Sequence, residues 1–230
     1  MARLGWKQAP LGLPPGWGGP QRGAGHSPVG KRAGVSHKTR APLAARFPVH
    51  VTMKLRSGLP SLRQRAELGV LLLQFHRGCE RFGMRLGHFS VQSNHIHLIL
   101  EGRCRRSISS GINGLAVRIA RGLNRLWDRT GKVFADRYHD HILRTAREVR
   151  NALRYVLNNA LKHRSWFDRK RPDPYSSGRW FDGWKRVARA KPLESPPGRG
   201  LRPTARTHTY LLNVAWRRLG LLLPGDAPAH

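Results

Sequence analysis

Seven apolar residues, Val149, Ala152, Leu153, Val156, Leu157, Ala160 and Leu161, stand at i, i+3, i+4, i+7, i+8, i+11 and i+12. Only a helix lines that spacing into one continuous stripe, and a helix carrying such a stripe must lay it on an apolar surface. The spacing predicts a helix over 145–163. Strand-like segments upstream offer the surface. Val49, Val51, Met53 and Leu55 alternate through 47–55, and Ile96, Leu98 and Leu100 alternate within "SNHIHLILEG", the two-residue period of a strand with one apolar face. Leu62, Ala66, Leu68, Leu71, Leu72 and Phe75 recur at near-helical spacing up to Gly78, with Ser61 placed to cap them. The stretch from Arg85 to Leu100 reads as two strands around the bend "QSN". A second helix is expected over 108–127 in spite of Gly111, Gly114 and Gly122, and "KVFADRYHDHILR" is expected to be extended. The order strand, helix, strand pair, helix, strand, helix argues for an α+β sandwich, an antiparallel sheet with helices packed on one face.

Charge narrows the partner. Forty-three Lys and Arg face 12 Asp and Glu, a formal charge of +31 with a pI near 11.9. Such a chain repels itself unless an anion offsets it, and nucleic acid is the leading partner class. An anionic membrane surface is the competitor. It fits less well, because the basic residues are spread along the whole chain and no apolar run approaches the roughly 20 residues of a span. No membrane association is expected, and the location expected is cytoplasmic. Cys79 and Cys104 stand in unrelated contexts and read as packing residues.

The acids also mark boundaries. Residues 1–46 hold nine Gly, six Pro, eight Lys or Arg and no acid, which reads as a disordered basic extension. Ten of the 12 acids fall between Glu67 and Asp182. The expected domain is 47–185, followed over 186–230 by a basic linker and a short amphipathic helix at 209–223.

Within the strand at 95–100, alternation sends Ile96, Leu98 and Leu100 to one face and His95, His97 and Ile99 to the other. Two imidazoles roughly 6.5 to 7 Å apart along a backbone can lean onto one ion. They can equally be two solvated histidines on a sheet surface. In the helix, Tyr155 and Asn159 lie one turn apart on a flank of the apolar stripe, together with Lys162 and Glu148. A phenol and an amide oxygen are thus presented side by side. The bland alternative is a boundary Tyr over the sheet edge and an exposed Asn. Arg118, Arg121 and Arg125 recur along the second helix and Arg137 follows it, as candidates for DNA contact beside Lys162. Arg179, Trp180, Phe181 and Trp184 read as a packing plug.

The segments "NHIHLIL", "GKVFADRYHDHILRTAREVRNALRYVLNNALKH" and "DPYSSGRWFDGW", in that order, resemble the REP-associated tyrosine transposases, relatives of the single-tyrosine insertion-sequence transposases with a His-hydrophobic-His signature. The tail "YLLNVAWRRLG" is similar to that family too. One departure is Ser93, where relatives commonly have Pro. The resemblance implies a ferredoxin-like sandwich and a site-specific endonuclease that cuts and rejoins single-stranded DNA at palindromic hairpin repeats. It implies Tyr155 as the nucleophile forming a 5′-phosphotyrosine, and His95, His97 and Asn159 as ligands of a divalent metal, Mg2+ or Mn2+. Single-stranded or hairpin DNA is the implied partner, with the protein a monomer or a homodimer. The rival expectation is a catalytically silent basic protein that binds a DNA hairpin or RNA. A ribosome-associated basic protein is a third reading, which leaves the ordered motifs unexplained.

Overall fold

Alternation in the strand segments becomes a five-stranded antiparallel sheet in the computed structural model, which describes residues 40–159, 171–185 and 202–226. All described residues belong to one compact unit. Its elements are β1 (Val49–Lys54), α1 (Arg65–Gly78), β2 (Glu80–Arg81), β3 (Met84–Val91), β4 (His95–Gly102), α2 (Arg105–Leu126), β5 (His139–Ile142), α3 (Ala146–Asn158) and α4 (Tyr210–Asn213), with 3-10 turns at Ser177–Trp180 and Ala215–Leu219. The strand order is β2-β3-β4-β1-β5. With the two-residue β2 set aside, this is a βαββαβ unit whose two central strands are β4 and β1, the ferredoxin-like arrangement.

The apolar alternation decides what each face of the sheet receives. Val49, Val51, Met53, Ile96, Leu98 and Leu100 share one buried cluster with Leu68, Leu71 and Phe75 of α1 and with Ile108, Ile112, Leu115, Ile119 and Leu123 of α2. These two helices lie together on one face. Glycines in α2 that look like helix breakers instead permit close approach: a Cβ on Gly111 would stand 2.5 Å from the Met84 sulfur, and one on Gly122 would stand 2.7 Å from Val70 Cγ1. The helix α1 begins after Gln64, so Ser61 does not cap it. Its hydroxyl instead accepts from Arg63 N at 3.2 Å.

The third helix takes the opposite face. Val149, Leu153, Val156 and Leu157 of α3 are buried with Ile99, Phe181, Leu212, Trp216 and Leu222. Its first turn is fixed by a reciprocal cap, in which Thr145 Oγ1 accepts from Glu148 N at 3.1 Å and Glu148 Oε2 accepts from Thr145 N at 3.0 Å. Phe181 stacks on Trp216 with centroids 5.6 Å apart, so the aromatic plug expected near residue 180 does pack. The C-terminal segment is anchored to β4 through Glu101, whose buried carboxylate accepts from His208 N, Thr209 N and Thr209 Oγ1, each at 2.8 Å. In place of one helix over 209–223 the chain forms α4 and the turn Ala215–Leu219, broken at Val214 with φ −124° and ψ −55°.

Residues 40–46, which composition assigns to the extension, join the fold. Leu43 is buried in the first cluster, and Arg40 pairs with Asp140 at 2.7 Å. Cys79 is half-buried and Cys104 exposed. Among the described residues no helix is long and apolar enough to cross a membrane.

Candidate active site

The face of the sheet under α3 is polar at its centre because the apolar alternation faces the other way. On β4 it carries His95 and His97, whose rings meet edge-on with centroids 4.7 Å apart. On β1 it carries His50 and Thr52, since Thr52 pairs with His97 in the register and His50 with Ile99. On β5 it carries His139 and His141, opposite Thr52 and His50. The bend between β3 and β4 forms with Ser93 in place of Pro: Gln92 N donates to His95 O at 2.8 Å, and Ser93 O accepts from Leu62 N at 2.8 Å.

Each imidazole of the pair has Nδ1 engaged. His95 Nδ1 lies 2.7 Å from Asn94 Oδ1. His97, almost fully buried, has Nδ1 at 3.1 Å from Thr52 Oγ1 and 3.3 Å from His50 Nε2. Burial pushes the His50 imidazole down to about 4, with His141 adding to the shift, so the ring is neutral at neutral pH.

Tyr155 reaches this cluster from α3. Its half-buried ring stands edge-on to His97, with centroids 5.1 Å apart at 84°, and to His50 at 5.8 Å and 65°. Asn159 follows one turn later, about 6 Å along the helix axis, and holds helical φ and ψ at the C-cap. It is fully buried, and neither Oδ1 nor Nδ2 has a hydrogen-bond partner among the described residues. A native fold rarely leaves both atoms of a buried amide unsatisfied. Two imidazoles and an orphaned amide oxygen are donors of the kind a divalent transition-metal ion takes. Among the described residues no group of three His, Cys, Asp or Glu offers a rival metal cluster.

The basic residues expected at DNA are distributed differently. Arg118, Arg121 and Arg125 sit on α2, across the sheet from the imidazoles. The Arg118 guanidinium fills the space above Gly78 of α1, where a Cβ would stand 2.0 Å from Nη2, and burial lowers its pKa, with Arg81 contributing. Arg118 thus serves helix packing, while Arg121 and Arg125 are exposed. Arg137 is exposed two residues ahead of His139, at the end of β5, whereas its neighbour Tyr138 is buried beneath Arg40. Lys162, like Ala160 and Leu161, lies outside the described residues. The contributors missed in the sequence are His50 and Thr52. Their signal is the alternation of β1 itself, which sends the residues between Val49, Val51 and Met53 to the imidazole face.

Residues 61–159 match the family model described as "Transposase IS200 like". No curated protein matches the chain. Among solved structures, a REP-associated tyrosine transposase bound to a REP hairpin is similar at 17% identity and a TM-score of 0.46, covering 62% of this chain and 82% of that one. The family match begins just ahead of α1, takes in the imidazole strand and ends on Asn159, so the residues that meet on the polar face fall inside it, apart from those of β1. Over residues 61–159, under half of its length, the chain is similar to the IS200-like transposases.

Proposed function

We propose that the protein is a transposase of the REP-associated kind, which cleaves and rejoins single-stranded DNA at hairpin repeats with Tyr155 as its nucleophile. The observation that carries this reading is the packing of the Tyr155 ring on His97, which puts a hydroxyl-bearing side chain beside the imidazole pair. His95, His97 and the orphaned Asn159 would hold the divalent ion, Mg2+ or Mn2+. When bound, that ion supplies Lewis-acid polarisation and alignment of the scissile phosphate. Neutral His50 and Thr52 keep carboxylate charge away from His97 Nδ1, which suits a site that must admit a phosphodiester.

In the cleavage step the Tyr155 oxygen attacks phosphorus and gives up its proton to solvent. The bond from phosphorus to the 3′ oxygen breaks, leaving a 3′-hydroxyl and a 5′-phosphotyrosine. Rejoining reverses these bond changes, with a 3′-hydroxyl attacking and the phenol departing. A phenol, whose ordinary pKa is near 10, leaves far more readily than an aliphatic alkoxide. No nucleotide cofactor is needed, because the phosphodiester energy is kept in the covalent adduct. Unpaired strand segments suit the chain's +31 charge, since unstacked bases let a strand lie along a basic groove.

The test is incubation of the full chain with labelled hairpin oligonucleotides and Mn2+, resolved on a denaturing gel. The expected product is a DNA–protein adduct that depends on Tyr155. Salt-sensitive binding without an adduct under any divalent ion would instead support the silent nucleic-acid-binding reading.

A further inference from the structure

We propose that His50 is a positioning residue for the metal-binding pair: its Nε2 accepts the Nδ1 proton of His97 and so commits that imidazole to meet a cation through its own Nε2. The inference rests on the reading of His95, His97 and Asn159 as cation ligands. It addresses a question that reading leaves open, namely what selects the tautomer of His97.

An imidazole that ligates through Nε2 must carry its proton on Nδ1, and that proton needs an acceptor, commonly a carboxylate or a backbone carbonyl. His95 meets the requirement with the Asn94 amide oxygen at 2.7 Å. At His97 two β1 side chains approach Nδ1, Thr52 Oγ1 at 3.1 Å and His50 Nε2 at 3.3 Å. A hydroxyl rotates and can donate or accept, so Thr52 suits either tautomer. A neutral His50 carries one proton on its two nitrogens: with that proton on Nδ1, its Nε2 can only accept. That arrangement leaves His97 with the tautomer that binds a cation. The opposite tautomer of His50 would force the His97 proton onto Nε2 and close the site.

The geometry holds the His50 ring in place. It lies on β1, which is hydrogen-bonded to β4 on one side and β5 on the other, so its backbone is fixed from both edges. Its ring is confined by His97, with centroids 5.3 Å apart, and by Tyr155 at 5.8 Å. One imidazole therefore touches both the expected ligand and the expected nucleophile, and a change at position 50 is felt by each.

The test begins with the 15N-labelled parent protein free of metal, using long-range proton–nitrogen correlation of the imidazoles. The expected result is His97 and His50 each protonated on Nδ1; finding the His97 proton on Nε2 overturns the proposal. Mn2+ titration followed by electron paramagnetic resonance then compares variants whose folding is checked by thermal melting. His50→Phe is expected to bind Mn2+ 10- to 100-fold more weakly, and His50→Gln, whose amide oxygen can take the same proton, to recover to within about threefold of the parent. Parent-like affinity in His50→Phe, or a large loss confined to Thr52→Val, overturns the assignment. A parent that binds no Mn2+ removes the cation reading, and the tautomer measurement, which needs no ion and no variant, still decides the role of His50.

Discussion

The Tyr155 ring stands edge-on to the His97 imidazole, with centroids 5.1 Å apart at 84°. The two residues come from α3 and β4, elements held against each other by Ile99 below and by Leu153, Val156 and Leu157 above. The contact is one between rings, which lets packing and chemistry be separated by one atom.

Tyr155→Phe keeps the ring and its edge contact and removes only the phenol oxygen. Stability is expected to stay within about 1 kcal/mol of the parent, and hairpin binding to be retained. The covalent adduct on a denaturing gel should disappear. If the variant forms the adduct as the parent does, Tyr155 is not the nucleophile.

Asn159→Leu tests the third donor from the side of stability. The amide is fully buried with both polar atoms unpartnered among the described residues, and leucine has the same branching at Cγ. Without metal, the substitution is expected to raise stability by roughly 1 to 3 kcal/mol, because desolvated, unpaired polar atoms are removed. Mn2+ affinity and adduct formation should both fall. A denaturation midpoint below that of the metal-free parent would show that the amide is satisfied in the folded protein, and the ligand assignment would lose its support.

Much of this site is legible in the sequence where a period is long enough to read. The stripe from Val149 onward fixes which flank of α3 bears Tyr155 and Asn159, and the alternation at 95–100 separates His95 and His97 from the core. The same reasoning leaves gaps where pairing between distant segments decides the outcome. His50 and Thr52 join His97 only because β1 lies beside β4 with Thr52 opposite His97, and no local period encodes that register. The parity of β3 is broken by a bulge between Leu86 and His88, which brings Leu86 and Phe89 to the same buried cluster. The charge of α2 misleads in a different way: arginine recurrence marks a basic helix face, yet which side of the sheet the helix occupies is a property of the fold, and Arg118 is taken up by the neighbouring helix.

Arg63 and Asp173 form a buried bidentate pair, with Nη1 to Oδ2 at 2.7 Å and Nη2 to Oδ1 at 2.8 Å, and Arg63 also donates to Val91 O at 2.9 Å. The pair ties the segment after α3 to the strand that precedes the imidazole bend. Asp173→Ala leaves a buried guanidinium without its counter-charge and is expected to cost about 3 to 5 kcal/mol in denaturant unfolding. The double variant Arg63→Met, Asp173→Ala should recover part of that loss, since no uncompensated charge remains. A double variant no more stable than Asp173→Ala would mean that the pair acts through its hydrogen bonds to the strand and not through charge.

Acid sensitivity supplies a further check on the packing between β3 and the C-terminal segment. Burial pushes His88 down to about 4 from an ordinary 6.5; Asp182 opposes the shift, while Arg202 and Arg217 reinforce it. Above about pH 6.5 the ring is neutral in both the folded and unfolded chains and contributes no pH dependence. Between 6.5 and 4 the unfolded chain takes up a proton that the folded chain refuses, so stability falls as the pH is lowered. At pH 5 that single group accounts for a loss of about 2 kcal/mol relative to pH 7. His50 acts in the same direction, so removing one imidazole shallows the slope without abolishing it. In His88→Gln the difference in unfolding free energy between pH 7 and pH 5 is expected to shrink by about that amount. Parallel pH profiles for parent and variant would show that His88 is protonated alike in the folded and unfolded chains, and that the C-terminal segment does not seal it from solvent.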